Sequence, residues 1–307
     1  MRLKINSLTV YELENYLRQG IVIELSPFTI RLQSELSPLT PLLHKLYAHY
    51  FLAEDDSFAD IQVRIVRKRS IRNWLQPEAQ IWVYDNVHSP VFPQETTLPF
   101  LEWGINWCVA TRAHHYLLLH TGVVEKNGQT VLLPASPGSG KSTLCTALIH
   151  RGWRLLSDEF GLVRPADLAI VPFPRLIPLK NESIAVIRAF VPDAVLGPEF
   201  PKTRKGTISH LRPPAESIAR AGEIGRAAWI VCPQFQAGAE TLLLPLSRTE
   251  AFIKLSRNSF NYARIGLRGF ETVGRLVESC SSYSLKYSDL EEAIAQLEAL
   301  VTGEPPT

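Results

Sequence analysis

The sequence predicts an α/β protein: a larger domain built around a phosphate-binding loop over residues 99–307, preceded by a smaller mixed α+β region over residues 1–98. Three observations carry this. Residues 131–144 (Val-Leu-Leu-Pro-Ala-Ser-Pro-Gly-Ser-Gly-Lys-Ser-Thr-Leu) read as an apolar strand, a loop of small residues and the start of a helix. Gly152 then breaks that helix, and a strand over 153–157 runs straight into Asp158-Glu159, which puts two carboxylates at the strand's C-terminal end. In an open α/β sheet that end is the edge where ligands bind. Before residue 98, short runs alternate apolar and polar residues in the two-residue period of half-buried strands.

In chain order, residues 28–32, 61–66 and 81–84 carry that alternation, and 41–50 suits a short helix between the first two. Residues 86–99 have little periodicity and contain Pro90, Pro93 and Pro99, so the domain boundary is placed there. Leu101, Ile105, Cys108 and Val109 predict a buried helix within 100–116, followed by a strand over 117–125. Lys126-Asn127-Gly128 supplies a turn into the strand at 130–133, so a hairpin delivers the chain to the loop. After the helix at 141–151, core strands are expected at 227–231 and 242–246. Residues 288–301 make an amphipathic helix: its first turn is acidic, Leu290, Ile294, Leu297 and Leu300 form its apolar side, and Gly303, Pro305 and Pro306 end it. No internal repeat or low-complexity tract interrupts the chain.

At 307 residues and 46% hydrophobic content the chain can bury a large core. With 32 basic against 30 acidic residues the net charge is +2, which argues against a general nucleic-acid binder. Cys108, Cys145, Cys232 and Cys280 show no C-x-x-C spacing and read as reduced core residues of a cytoplasmic protein. Glu12 and Glu14 interrupt the N-terminus, so no signal peptide is expected, and no run approaches the ~18 to 20 apolar residues of a membrane span. The eight histidines lack zinc spacings, and His114 and His115 read as structural.

The chemistry of the loop is that of a nucleoside triphosphate site. Gly138 and Gly140 allow backbone N–H groups to turn inward on phosphate, and the helix N-terminus adds its partial positive charge. Lys141 brings a full charge to the β- and γ-phosphates, the Ser142 hydroxyl holds Mg²⁺, and Ser136, Pro137, Ser139 and Thr143 complete the binding segment. One departure from G-x-x-x-x-G-K-[ST] is Ala135 at the first glycine, where a residue with a side chain tolerates positive φ poorly and a different opening of the loop is expected. Of Asp158 and Glu159, one would hold Mg²⁺ and the other accept a proton from an attacking hydroxyl; the alternative is an acidic N-cap for the next element. No Asn-Lys-x-Asp segment for reading guanine is present, so a GTPase lacks support, while the preference between ATP and GTP stays open. Lys180 and Glu182, in a proline-bounded loop, would contact phosphate and metal or simply pair with each other. Lys202, Arg204 and Lys205, beside Gly206 and before His210 and Arg212, form a basic segment expected to be mobile, and the basic run at 64–72 reads as an exposed strand edge.

Several stretches together resemble a known family. They are Glu102-Trp103-Gly104-Ile105-Asn106-Trp107, His120-Thr121-Gly122-Val123-Val124-Glu125, the loop itself, 152–160, 178–184 (Pro-Leu-Lys-Asn-Glu-Ser-Ile) and Lys205-Gly206-Thr207, extended by 258–262 and Gly269-Phe270. The chain resembles the HPr serine kinase/phosphorylases over about residues 115–235, and over most of its length the shorter HprK-related kinase A group. The resemblance implies an HPr kinase/PEP carboxykinase-like P-loop fold that uses ATP and Mg²⁺ to phosphorylate a serine hydroxyl of a peptide or small protein. His120, 21 residues before Lys141, matches a family histidine near the reacting phosphate. Asp158-Glu159 match a family pair of aspartates; Glu159 is longer by one methylene, about 1.5 Å, which leaves open which carboxylate is base and which is metal-associated. Pro137 replaces a family serine, so retention of the phosphorylase reaction is open as well. Arg226, after Gly225, falls at the spacing of a family arginine near the site, where it would neutralise charge on the transferring phosphoryl group, the alternative being a solvated strand-edge cation; the basic segment corresponds to a phosphate clamp. The family proper is hexameric, so a homo-oligomer is compatible with the resemblance.

The expected scheme is therefore an Mg²⁺-dependent kinase. Gly138, Ser139, Gly140 and Lys141 cradle phosphate; Ser142, Asp158 and Glu182 organise the metal; Glu159, helped by His120, receives the acceptor proton; Arg226 neutralises charge. The rivals are a kinase of small-molecule alcohols and a non-catalytic, nucleotide-dependent binding module in a peptide-modification system.

Overall fold

The computed structural model describes residues 2–54, 57–68, 77–84 and 87–303; Asn86, Pro305, Pro306 and part of the basic run at 64–72 lie outside the described residues. The chain opens with helix α1 (Val10–Gln19), started by a reciprocal capping box between Thr9 and Glu12. Next come β1 (Ile21–Leu25), β2 (Phe28–Ser34), α2 (Leu39–Leu46), β3 (Phe51–Leu52), β4 (Ile61–Arg67), β5 (Glu78–Val83), β6 (Val87–His88) and β7 (Phe92–Pro93). They form a seven-stranded sheet in the order β3-β1-β2-β4-β5-β6, with β7 also on β5. On β4 the alternation read from the sequence is realised: Ile61, Val63 and Ile65 are buried, Gln62 and Arg64 exposed.

Helix α3 (Thr97–Arg112) carries Pro99 in its first turn, where the missing N–H costs nothing. Its Leu98, Leu101, Ile105, Cys108 and Val109 are buried in the same core as the N-terminal sheet. That core continues beyond residue 99 through Leu118, Phe160, Leu162 and Phe173, with Phe28 and Phe173 in edge-to-face contact at 5.4 Å.

The remainder of the chain comprises β8 (Leu117–Lys126), β9 (Gln129–Pro134), α4 (Lys141–Ile149), β10 (Arg154–Ser157), β11 (Phe160–Val163), β12 (Ala169–Val171), β13 (Ile177–Lys180), α5 (Glu182–Phe190), β14 (Phe200–Thr203), β15 (Gly206–Leu211), α6 (Ala215–Ala219), β16 (Gly225–Phe235), β17 (Leu242–Pro245), α7 (Arg248–Arg257), α8 (Tyr262–Ile265), α9 (Leu267–Ser279), β18 (Ser281–Tyr287) and α10 (Leu290–Thr302). Asn127 and Gly128 both have positive φ, +54° and +75°, as the tight turn between β8 and β9 requires. An eight-stranded mixed sheet runs β10-β8-β11-β12-β16-β18-β17, with β9 paired to both β8 and β16. Residues of opposite parity along β9 face different layers. Val131 and Leu133 pack with α4, α5 and α10, whereas Leu132 packs with α7 and α9, so helices cover both faces.

Strand direction places the site. β8 is antiparallel to β9 and to β10, and β9 is parallel to β16. Strands β9, β10 and β16 therefore all end at one edge of the sheet, where the residue 134–140 loop, Asp158 and Phe235 meet. A separate three-stranded antiparallel sheet, β13-β15-β14, contains most of the basic segment expected to be a mobile loop at 202–212; it is a β-hairpin with its turn at 203–206. Among the described residues no helix is long and apolar enough to cross a membrane.

Because Ile105 is 2% exposed at the centre of the α3 seam, Ile105→Ala should lower unfolding stability by about 2–5 kcal/mol. A urea unfolding curve checks this; an unchanged midpoint would contradict the packing.

Candidate functional site

The loop between β9 and α4 is held open by two left-handed glycines, Gly138 at φ +87° and Gly140 at φ +84°. Gly140 is also constrained by space: a Cβ there would overlap the Tyr287 hydroxyl and come within 2.9 Å of Phe235 Cβ. The same neighbours fix the loop, since Tyr287 Oη donates to the Gly140 carbonyl at 3.2 Å and the Phe235 N–H to the Ser139 carbonyl at 3.0 Å. Ser136, Pro137 and Gly138 are exposed at the loop tip, and Ser139, Ser142 and Thr143 are half-buried. Ala135 is buried and does not have positive φ, so the strain expected there does not arise.

Lys141, the first residue of α4, is 8% exposed and its ammonium turns beneath the loop onto Asp158. It donates to the Asp158 main-chain carbonyl and, at 3.1 Å, to Oδ1 of the same residue. The other carboxylate oxygen, Oδ2, accepts from Ser142 Oγ at 2.8 Å. Burial alone would pull the Lys141 pKa down, but the Asp158 carboxylate, with smaller help from Cys145 and Glu159, outweighs it and the pKa rises. Asp158 thus knots the lysine and the serine that follow the loop, and it does so from the end of β10.

His120 joins this group from β8. Two residues along, a Cβ on Gly122 would overlap Cys145 Sγ and approach Lys141 Cγ at 3.5 Å, so that face of the strand looks onto the start of α4. His120 shares the face by the two-residue period. Burial and the Lys141 charge push its pKa down, with Glu159 and Asp158 opposing. Phe260 stands edge-on to its ring at 5.5 Å, and the segment 258–261 is laced to β8 by Ser259 Oγ to the Leu118 carbonyl and by the Leu118 N–H to Asn261 Oδ1.

Glu159 is half-buried and accepts from Asn106 Nδ2 at 3.0 Å. Lys180 and His210 approach from the small sheet. Pro178 pairs with His210 and Lys180 with Ile208, so these four side chains share one face. Lys180 lies within the electrostatic reach of Glu159, Asp158 and Lys141, and burial together with Lys205 lowers its pKa. The hairpin that carries Lys205 is locked in place: Asn181, at φ +51°, accepts the Thr207 N–H at 3.0 Å, and its side chain fills the space a Cβ on Gly206 would need.

Two expected site residues are not brought here. Arg226 lies near the start of β16, where Ala227 faces Thr130 at the beginning of β9, whereas the loop follows that strand's end. Arg226 is exposed and donates to the Asp167 carbonyl at 3.3 Å, so strand direction removes it from the cluster. Glu182 opens α5 with an exposed side chain that makes no hydrogen bond or ion pair among the described residues. It complements the helix dipole there and does not join Ser142 and Asp158. Conversely, Asn106, Glu102 and Arg175 contribute contacts to which sequence reasoning assigned no role. Glu102 and Asn106 stand four apart on one helix face, a spacing visible within Glu-Trp-Gly-Ile-Asn-Trp. Among protein-family models and curated proteins, none matches this chain.

The two site histidines set a pH dependence. Both His120 and His210 have pKa values below the ordinary 6.5, chiefly because burial disfavours the charged ring. The unfolded chain takes up protons at these positions as pH falls through about 6.5, whereas the folded protein resists until lower pH. Stability is therefore full above that value and declines below it. The urea midpoint should fall between about pH 7.5 and about pH 5.5, and His210→Gln should flatten that fall; an equal fall in wild type and variant would contradict the placement of His210.

Proposed function

We propose that this chain is an Mg²⁺- and ATP-dependent phosphotransferase of the HPr serine kinase-like type, acting on a serine hydroxyl of a peptide or small protein. The observation that carries the proposal is the meeting of Lys141, Ser142 and Asp158 by direct hydrogen bonds under a loop opened by two left-handed glycines. A loop opened by two left-handed glycines, a helix N-terminus and a lysine held charged by its surroundings suit a triphosphate. Ser142 Oγ and Asp158 Oδ2, 2.8 Å apart, are hard oxygen donors of the kind magnesium takes alongside phosphate and water. These two residues would hold the ion, which when bound neutralises charge on the phosphates.

In the proposed reaction the acceptor oxygen bonds to the γ-phosphorus, the bond to the β–γ bridging oxygen breaks with its electron pair leaving on ADP, and the hydroxyl proton passes to Glu159. Lys141 follows the phosphate charge, and the backbone N–H groups of Gly138 and Gly140 orient it, that of Ser139 being held by the Ser136 carbonyl. His120, neutral at physiological pH because its pKa is lowered, faces the same space and can accept a hydrogen bond from the acceptor. Lys180, with Lys205 on the hairpin, gives the approach a positive potential that favours an anionic nucleotide and an acidic acceptor segment.

Lys141→Ala removes a charge-assisted phosphate contact and should weaken Mg·ATP binding by about 1.5–3 kcal/mol, read by calorimetry; equal affinity in both proteins would defeat the assignment. Asp158→Asn and Glu159→Gln should both remove most turnover, with only Asp158→Asn shifting the Mg²⁺ dependence. Incubating the protein with Mg·ATP and a peptide pool from its source, followed by mass spectrometry, identifies the acceptor. Phosphate only on a free metabolite would indicate a small-molecule kinase, and tight ATP binding without transfer a binding module.

A further inference from the structure

Asn106 belongs to α3, which packs on the N-terminal sheet, yet its side chain reaches Glu159. Its orientation there is determined by chemistry at both ends. Oδ1 accepts from Arg175 Nη1, while Nδ2 donates to Glu159 Oε2 at 3.0 Å. A guanidinium has only donors and an ionised carboxylate only acceptors, so neither contact survives a flip of the amide. Arg175 is itself fixed: Nη2 donates to Glu102 Oε2, and Glu102 Oε1 accepts from the Tyr47 hydroxyl. Tyr47, Glu102 and Arg175 are 2%, 6% and 7% exposed, so water does not compete for these bonds, and loosening any of them would strand a buried polar or charged group.

Glu159 needs such a tether. A glutamate has one more rotatable bond than an aspartate, and a proton acceptor must come within about 2.6 to 3.2 Å of its donor. Side-chain freedom of that kind costs free energy to remove at the moment of reaction unless it has been removed beforehand.

We propose that Asn106 is a positioning residue for Glu159, its amide locked by Tyr47, Glu102 and Arg175 so that Nδ2 holds the carboxylate in the orientation from which it receives the acceptor's proton. The inference rests on the kinase reading for what Glu159 does, and on the hydrogen bonds alone for what Asn106 does to it. The N-terminal region, through Tyr47, thereby braces part of the site.

Two variants of similar size separate positioning from packing. Asn106→Asp still accepts from Arg175 but sets a carboxylate against Glu159; Asn106→Leu removes both contacts. ADP release from Mg·ATP, with water as acceptor, should fall about 100-fold in kcat for each, with KM for ATP and calorimetric ATP affinity unchanged. In a Glu159→Gln background, Asn106→Leu should cause no further fall. Wild-type turnover in Asn106→Asp, or the same fall with and without Glu159, overturns the proposal. A second measurement needs no nucleotide: in a double-mutant cycle of urea midpoints, Asn106→Leu with Glu159→Gln should lose less than the sum of the single losses. Additive losses overturn the proposal as well. A wild type that binds no ATP sinks the kinase reading and with it the role given to Glu159, while the cycle still decides whether Asn106 holds that carboxylate.

Discussion

A lysine ammonium that is 8% exposed must be paired, and Lys141 is paired by Asp158 across the gap between two strand ends. The geometry around the loop follows from that requirement. Asp158 can reach the lysine only because β10 runs in the same direction as β9, which in turn depends on β8 lying antiparallel to both. Cys145 can pack beneath the same point only because residue 122 has no side chain. Tyr287 and Phe235 close the other side, pressing on Gly140 from the ends of β18 and β16. One charge pair thus selects a strand order, a glycine and two aromatic neighbours.

A second set of polar contacts runs from Tyr47, just after α2, through Glu102, Arg175 and Asn106 to Glu159. Its middle member, the buried Arg175–Glu102 ion pair, is weak evidence for stability taken alone, because desolvation offsets much of the attraction. What it provides is direction. With the arginine fixed, the amide next to it has one orientation, and the glutamate beyond has a defined donor. The hairpin lock between Asn181 and Gly206 acts comparably, setting where Lys205 stands relative to Lys180.

The parts of the site legible in the sequence are those whose chemistry depends on neighbours in the chain. The loop, its glycines and the helix after it are local, and β9 and α4 stand close to where periodicity places them. Asp158-Glu159 were found because strand ends are where sheets present ligand groups. What stayed hidden depends on pairing. Arg226 follows a glycine at a suggestive spacing, but only the register of Ala227 on Thr130 reveals that it stands beside the wrong end of β9. Lys202, Arg204 and Lys205 read as a loop because lysines, arginines and a glycine are poor strand signals, and the hairpin forms through its register with β13. Glu102 and Asn106 are polar residues on a helix that otherwise reads as core, and their partner Arg175 is 69 residues beyond Asn106. No local pattern links them.

The core shared by the N-terminal sheet and the loop-bearing half also bears on how the chain is made. As the polypeptide leaves the ribosome, the first sheet and α3 emerge with an apolar face whose cover, Leu118, Phe160, Leu162, Phe173, Leu176, Phe200 and Ile218, is still to be synthesised. About a hundred further residues must be translated beyond α3 before that face can close. The N-terminal region is therefore first in order of synthesis but late to mature, a nascent chain that chaperones would have to shield until its second half arrives.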